Sequence, residues 1–174
     1  GCGKTTLARL VAEYTKSHFA EFSAVTAGVE DVRRIIKEAR ERQTAYSQRT
    51  ILFVDEIHRF NKAHQDAFLP YVENGTISLI GETTENPGFE VNAPLLSRAQ
   101  VIVLHALTDE IIAKILKKAL ESYPTHKIEK EALRHITKSA NGDARTALNA
   151  LELAAFTTKQ ITLEVAEEVD QKKA

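Results

Sequence analysis

Chemistry with phosphate groups is indicated by the first residues of the chain, the run Gly1–Thr5. Its letters, Gly-Cys-Gly-Lys-Thr, form the last part of the pattern Gly-x-x-x-x-Gly-Lys-[Ser/Thr]. In such a loop, backbone N–H groups at a helix start surround phosphates, the lysine reaches the β- and γ-phosphates, and the hydroxyl binds Mg²⁺. We therefore expect ATP contacts from Gly1, Cys2, Gly3, Lys4, Thr5 and Thr6, with Thr5 also binding Mg²⁺. The alternative is a glycine-rich turn before an ordinary helix, because the first glycine of the pattern is missing.

A pair of adjacent carboxylates, Asp55 and Glu56, follows the apolar run Ile51–Val54. A run without polar alternation is typical of a strand covered on both faces in a parallel sheet, and such sheets bind ligands at the carboxyl ends of their strands. Two carboxylates there repel each other and are costly to desolvate unless a metal-bound phosphate offsets their charge. We expect Asp55 to hold Mg²⁺ through water and Glu56 to polarise the attacking water. The alternative is a solvated acidic turn.

Two further side chains follow predicted elements of the same region. Thr84 comes after the predicted strand Thr76–Gly81, and we favour it over Thr83 as the residue that orients the attacking water. Arg98 closes the predicted short helix Val91–Leu96. An arginine at a helix end ordinarily complements the helix dipole, so this structural interpretation of Arg98 stays open.

Arg145 lies in the first turn of a predicted helix that begins after Asn141-Gly142 and is capped by Asp143. A cation in a first turn opposes the helix dipole. Local violations of this kind tend to mark functional positions. We therefore expect Arg145 to move onto the γ-phosphate from a lid.

The elements that must position these side chains alternate between helices and strands in the first half of the chain. Apolar residues at helical spacing, and short apolar runs that indicate strands, divide it accordingly. Helices are predicted after Lys4 and over 32–39 and 62–72, and strands over 19–25, 51–54, 76–81 and 101–104. Such alternation predicts a right-handed, three-layer α/β domain with a parallel sheet.

From Thr108 onward the pattern becomes helical only. Thr108 is a predicted N-cap, and further helices are predicted over 129–140 and 144–156 and from Leu163. We therefore predict an α/β nucleotide-binding core over residues 1–107 and a small helical lid over residues 108–174.

Composition limits the possible surroundings and partners. The formal net charge of −1 gives no global attraction to DNA, so a DNA-binding surface must be local or must arise from the geometry of an oligomer. One cysteine excludes a disulfide framework and suits a reducing compartment. No apolar run approaches the roughly 18 residues that span a bilayer, and no secretory leader is visible, so we expect the cytoplasm and no membrane.

Several motifs together resemble the replication-associated recombination protein A family, whose eukaryotic members are the Werner-helicase-interacting ATPases. The resemblance covers essentially the whole chain. Its most specific parts are Asp-Glu-Ile-His-Arg-Phe-Asn-Lys at Asp55–Lys62 and Thr-Thr-Glu-Asn-Pro at Thr83–Pro87. It is also carried by the phosphate loop, Gln65-Asp66, Glu73–Thr76 and Leu95–Arg98. Clamp loaders and Holliday-junction branch-migration motors are broader relatives.

The resemblance implies an AAA+ P-loop fold and DNA-stimulated ATP hydrolysis at stalled replication forks. It implies a homo-oligomer that binds single-stranded or forked DNA, with single-strand DNA-binding protein as a further partner. The location implied is cytoplasmic and nucleoid-associated in a bacterium and nuclear in a eukaryote. The roles implied are Walker A at Gly1–Thr5, Walker B at Asp55 and Glu56, sensor 1 at Thr84, an arginine finger at Arg98 and sensor 2 at Arg145.

Three residues depart from the family pattern. Glu82 stands where the pattern has alanine, which places a third carboxylate near the γ-phosphate side and puts the hydrolysis rate in doubt more than nucleotide binding. Pro94 and Ala99 replace residues that flank the helix before Arg98. A clamp-loader or branch-migration subunit is the alternative function. An inactive scaffold is disfavoured because Lys4, Glu56 and Arg98 are all present.

The chain contains no methionine and begins inside a motif, so we expect a fragment that lacks the strand before the phosphate loop. Loss of a central strand leaves backbone groups of both neighbours unpaired. Residues 1–174 alone should therefore bind ATP weakly or undetectably, with normal affinity once the upstream segment is restored. Calorimetry measures this, and micromolar ATP binding by residues 1–174 would contradict it.

Overall fold

A three-stranded parallel sheet forms the centre of the first of two packing units. The computed structural model describes residues 1–24 and 29–171. The first unit is Lys4–Ile102, and the second comprises Gly1–Gly3 with the chain from Val103 onward. The strands are β1 (His18–Ser23), β2 (Thr50–Asp55) and β3 (Ile77–Gly81), in the order β1-β2-β3. The predicted parallel α/β sheet is confirmed, although residue 25 of the predicted first strand lies outside the described residues.

Strand β2 is the central strand of the sheet, which explains its unbroken apolar sequence. It pairs in parallel with β1 and with β3, so that Phe22 and Gly81 are both register partners of Val54. Leu52 and Val54 are fully buried. A parallel strand with both edges paired and both faces covered favours apolar side chains, which fill positions 51–54, and Thr50 is its one buried polar residue.

Six helices accompany these strands in the described part of the first unit. They are α1 (Lys4–Tyr14), α2 (Val29–Tyr46), α3 (Lys62–Asp66), α4 (Leu69–Glu73), α5 (Pro87–Glu90) and α6 (Ala93–Leu96), with a 3₁₀ turn over Ile57–Arg59. The prediction of one helix over 62–72 is wrong, because two short helices occupy this stretch. Pro70 has no N–H to donate to the carbonyl of Asp66, and its ring collides with a continuing helix.

The strand predicted over 101–104 is not formed with any of the described residues. Val101 and Ile102 are more than half exposed. An apolar run becomes a strand only when a neighbouring strand takes its backbone hydrogen bonds, and no described strand does so. The run therefore carries strand propensity without strand structure.

The core under β2 is largely aromatic. The ring of Phe60 lies 5.5 Å from that of Phe22 and 5.8 Å from that of Phe68, measured between centroids. The buried side chain of Gln65 donates to the carbonyls of Phe60 and Glu90 and accepts from the N–H of Asn92. One buried amide thus ties α3 to the segment that leads into α6, because each of its polar atoms is satisfied there.

The second unit is a helical bundle. Its helices are α7 (Asp109–Leu120), α8 (Lys130–Ser139), α9 (Ala144–Thr157) and α10 (Leu163–Gln171), and Thr108 is the N-cap residue of α7. The expectation of helices only was wrong, since β4 (Lys127–Ile128) pairs in parallel with β5 (Gln160–Ile161). Two-residue strands are too short to show an alternating pattern. No helix in the described ranges is long and apolar enough to cross a membrane.

Two glycines that follow helices differ in their surroundings and allow a matched test of backbone strain. Gly75 and Gly142 have φ of +73° and +77°. An added Cβ at Gly75 meets nothing within 4 Å, whereas at Gly142 it lies 2.8 Å from the carbonyl oxygen of Leu107. Gly75→Ala should lower the free energy of unfolding by about 1 kcal/mol and Gly142→Ala by about 2–4 kcal/mol.

Urea unfolding of both variants, followed by circular dichroism, measures this difference. Equal losses of unfolding free energy would show that the close approach to Leu107 has no energetic consequence.

Candidate active site

The carboxyl edge of the sheet brings the ends of β2 and β3 together. Asp55 ends β2, and Glu82 follows β3 directly. The N–H of Glu82 donates to the carbonyl of Val54 (2.8 Å), and its carbonyl accepts from the N–H of Ile57 (2.9 Å). The backbone of Glu82 therefore continues the sheet by one residue and holds the turn that follows Asp55.

A single carboxylate contacts two side chains of the predicted phosphate loop. Nζ of Lys4 lies 2.9 Å from Oε1 of Glu82 and donates to the carbonyl of Thr83 at 3.2 Å. The hydroxyl of Thr5 donates to Oε2 of Glu82 over a longer 3.4 Å. The carboxylate oxygens stand in for anionic oxygens of a phosphate, so the geometry fits the prediction that Lys4 and Thr5 face an anion.

The remaining residues of the loop are not in contact with Glu82 in the described structure. Gly3 has a φ of +92°, a conformation that glycine adopts freely, and α1 begins at the next residue. Thr6 lies exposed in the first helical turn, and Cys2 is a free, half-buried thiol. The first N–H groups of a helix have no partner within it, which leaves those of α1 open to a phosphate.

Glu56 has a strained backbone. Its φ of 53° and ψ of 49° are left-handed, which is unfavourable for a residue with a side chain. The next residue, Ile57, packs so closely on Gly81 that a Cβ there would lie 2.9 Å from its Cδ1. This packing and the hydrogen bond from Ile57 to Glu82 hold the turn. Strain that is fixed in this way is common at functional sites.

His58 links the carboxylate of Glu56 to the segment after β3. Its Nδ1 lies 2.9 Å from Oγ1 of Thr83 and 3.1 Å from Oε2 of Glu56, and its Nε2 lies 3.6 Å from Oε1 of Glu85. A ring nitrogen carries at most one hydrogen, which can satisfy only one of two oxygens. Among the described residues, Oε2 of Glu56 is buried without a hydrogen-bond partner. We interpret its contact with His58 as close but not hydrogen-bonded.

Three features of this cluster were not assigned from the sequence. Thr83 joins the network with His58, whereas the favoured Thr84 is exposed one residue further on. The Asp-Glu-Ile-His spacing could have predicted the contact between His58 and Glu56. A 3₁₀ turn that follows Glu56 brings His58 back towards the carboxylate of Glu56. The sequence analysis placed the carboxylate of Glu82 near the γ-phosphate side, but it did not predict the direct contact with Lys4.

Arg98 is not part of this cluster. Its Nη2 pairs with Oε1 of Glu73 at 2.7 Å, and its Nη1 donates to the carbonyl of Pro94. Glu73 ends α4, before the amino end of β3, whereas Lys4 meets Glu82 at the carboxyl end. The two groups therefore lie at opposite ends of the same strand.

Arg145 lies in the second unit, in the first turn of α9. The side chain of Asp143 caps this helix by accepting from the N–H of Thr146. Gly1 lies against this turn, since a Cβ there would be 3.9 Å from Nε of Arg145. Within this unit, Arg145 is next to Gly1.

A preformed metal site of three or more His, Cys, Asp or Glu side chains is absent from the described part of the chain. Mg²⁺ usually binds one or two carboxylates together with substrate phosphates and water. The hydroxyl of Thr5 beside Glu82 and the carboxylate of Asp55 at the end of β2 are groups of the chemical type that Mg²⁺ binds together with phosphates.

A parallel sheet with a lysine-bearing loop and a carboxylate pair at its carboxyl edge defines a P-loop nucleoside triphosphatase. Residues 1–120 match the ATPase family associated with various cellular activities (AAA), and residues 121–174 match the AAA C-terminal domain. The chain belongs to this AAA family of ATPases.

Relatives from several organisms are similar over most of the chain. Replication-associated recombination protein A of Escherichia coli K12 is 51% identical over 89% of this chain and 36% of its own length. ATPase WRNIP1 of Dictyostelium discoideum is 43% identical over 92% of this chain and 19% of its own length. The chain thus spans about a third or less of these relatives, and the resemblance seen in the motifs is confirmed.

A solved structure has the same fold. The RuvB Holliday junction branch migration motor of Thermotoga maritima is 25% identical, with a TM-score of 0.76 over 97% of this chain and 57% of that chain. The AAA+ P-loop fold predicted from the sequence is therefore confirmed.

Proposed function

We propose that the chain is the ATP-hydrolysing motor core of a DNA-maintenance protein that acts in replication-fork rescue, recombination and repair. The observation that carries ATP hydrolysis is Glu56, which has a left-handed backbone and a buried carboxylate oxygen without a hydrogen-bond partner in the described chain. Nδ1 of His58, which lies 3.1 Å from this oxygen, also contacts Thr83. A water molecule that donates to this oxygen would be held by a general base.

Lys4 and Thr5 bind the nucleotide in this proposal. The ammonium of Lys4 takes the β- and γ-phosphates in place of the carboxylate it holds, and the backbone of Gly1–Gly3 and α1 contributes N–H groups. Thr5 and Asp55 hold Mg²⁺. When bound, Mg²⁺ neutralises charge that develops on the phosphate oxygens. The partly buried position of Lys4 strengthens its contact with an anion relative to one in water.

Glu56 accepts the proton of the attacking water. His58 and Thr83 restrict the position of its carboxylate, because the His58 ring packs between Glu56 and Glu85 and is bonded to Thr83. Thr84 remains our proposed sensor 1, and its exposure is compatible with a contact that forms only with nucleotide.

Arg98 acts in trans on ATP held by a neighbouring subunit of a homo-oligomer. Its pairing with Glu73, before the amino end of β3, supports this proposal because Lys4 is at the other end of the strand. Arg145 acts as sensor 2, supported by its position beside Gly1. Residues 1–107 form the nucleotide-binding core and residues 108–174 the lid in which Arg145 moves.

The proposed partners and location follow the relatives. Names that specify replication and recombination support DNA as a partner, single-stranded or forked, bound through the oligomer. Single-strand DNA-binding protein is a further proposed partner. The proposed location is the cytoplasm and nucleoid in a bacterium, or the nucleus in a eukaryote.

A branch-migration or clamp-loader subunit is the second candidate, supported by the fold shared with RuvB. The ATPase rate of the complete protein with single-stranded, forked and blunt duplex DNA separates the candidates. Stimulation by single-stranded or forked DNA supports the first. Stimulation by a four-way junction alone, added as a fourth substrate, supports the second.

Glu56→Gln in the complete protein should retain ATP binding and lose hydrolysis by about 10²–10⁴-fold, because an amide cannot accept the water's proton. Asp55→Asn is the matched control. It removes the neighbouring charge and should weaken the Mg²⁺ dependence of binding instead. Steady-state phosphate release and nucleotide titration measure both. A Glu56→Gln rate within a few-fold of the parent would exclude Glu56 as the base.

Arg98→Ala and Lys4→Ala subunits should each be nearly inactive alone and should regain activity when mixed. Some mixed interfaces pair an intact Lys4 site with an intact Arg98, and an arginine finger contributes about 10³–10⁵ in rate in other phosphoryl-transfer systems. Arg98→Lys should restore little, because lysine lacks the planar fork that spans two oxygens. An inactive mixture of co-assembled variants, or an active Arg98→Ala protein, would contradict action in trans.

A further inference from the structure

Glu82 holds the two side chains that the proposed nucleotide site requires. Its Oε1 lies 2.9 Å from Nζ of Lys4, and its Oε2 accepts from the Thr5 hydroxyl at 3.4 Å. The other described partner of Lys4 is the neutral carbonyl of Thr83. A phosphate that takes Lys4 therefore removes from Glu82 the cation that offsets its charge.

Glu82 cannot move far from the incoming phosphate. Its backbone is fixed on both sides, by Val54 and by Ile57, and its side chain is only 14% exposed. Rotation of the side chain changes its contacts but leaves its carboxylate at the carboxyl edge of the sheet. Charges that are partly buried are screened much less than exposed ones, so repulsion between this carboxylate and a phosphate persists at ordinary salt concentrations.

A divalent cation beside Glu82 offsets the repulsion between its carboxylate and the phosphate. Thr5 is the expected Mg²⁺ ligand, and Oε2 of Glu82 already lies on its hydroxyl. A cation at Thr5 and Asp55 gives Glu82 an opposite charge when Lys4 leaves it. Nucleotide without a metal ion binds Lys4 and adds negative charge. It brings no cation that could replace Lys4 beside Glu82.

We propose that Glu82 is a specificity-determining residue that makes the site accept the Mg²⁺ complex of the nucleotide and reject the metal-free nucleotide. The inference rests on the proposed function, because it requires nucleotide phosphates at Lys4. Glu82 acts through its negative charge. Without nucleotide, its carboxylate forms an ion pair with Lys4. With nucleotide, the same carboxylate lies beside the bound Mg²⁺. Binding of nucleotide and of Mg²⁺ must then strengthen each other by the same factor.

The test measures dissociation constants of fluorescent ADP for the complete protein, once with Mg²⁺ and once with EDTA. ADP separates binding from turnover. Glu82→Gln should tighten metal-free binding at least about tenfold and change binding of the Mg²⁺ complex less than about threefold. Glu82→Ala, which places the residue of the family pattern here, should give the same shift and protects the test against a misfolded glutamine variant.

Glu85→Gln is the matched control. It removes the same charge from the same segment, but Glu85 contacts His58 and not Lys4. Its ratio of the two dissociation constants should stay within about twofold of the parent. A Glu82→Gln protein that binds both forms more tightly by an equal factor would overturn the inference, because Glu82 would then be a plain competitor for Lys4. An unchanged ratio would also overturn it.

Failure of the proposed function gives a different result. A parent protein that binds no nucleotide under either condition, or a Lys4→Ala variant that binds as the parent does, would contradict the nucleotide site itself. A parent that binds, a Lys4→Ala variant that does not and a Glu82→Gln variant with the parent's ratio would contradict only the role of Glu82.

Discussion

The two backbone hydrogen bonds of Glu82 connect the end of β2 with the end of β3. One joins it to Val54, inside the central strand, and the other to Ile57, beyond the strained Glu56. Between these two points, Asp55 ends the strand and the left-handed backbone of Glu56 forms the turn. The rest of the site depends on this connection, because it fixes the carboxylate pair, positions Thr83 beside His58 and presents the Glu82 side chain to Lys4.

Several negative charges lie at the carboxyl edge of the sheet, with few positive charges beside them. Asp55, Glu56, Glu82 and Glu85 all lie within a short distance along two neighbouring chain segments, with Lys4 as the paired cation in the described site. Such an arrangement is unfavourable in the absence of further positive charge. In the proposed function, a divalent cation at this edge would offset these charges, and its binding would stabilise the folded state by mass action. The sheet tolerates the cost because β2 is buried and paired along its length.

Those parts of the fold that depend on local patterns could be predicted from the sequence, and those that depend on distant partners could not. The unbroken apolar run of β2 identifies a central parallel strand, because only such a strand excludes polar residues from both faces. The run over 101–104 has the same local character, yet it is a strand only if another strand pairs with it. Pro70 was a visible signal, and the division of the helix around it could have been predicted.

The same distinction explains the site. Asp55 and Glu56 follow a recognisable strand, so their place at the carboxyl edge follows from the sequence. The choice between Thr83 and Thr84 depends on which of two successive residues faces the His58 ring, and a shift of one residue in an extended segment reverses the facing side. The contact of Lys4 with Glu82 joins residues 78 positions apart in the sequence. Their residue types are visible in the sequence, but their proximity is a product of the fold.

The two cationic side chains of the proposed reaction are released from their present partners at different cost. Arg98 and Glu73 are both nearly half exposed, and an ion pair of this kind is worth about 0–1 kcal/mol. Lys4 and Glu82 are 27% and 14% exposed, so separation leaves a partly buried carboxylate without its cation. In the proposed mechanism, transfer of Arg98 from Glu73 to a neighbouring subunit would thus cost little. In the proposed mechanism, transfer of Lys4 to a phosphate would therefore cost more than release of Arg98, unless another cation replaced Lys4 beside Glu82.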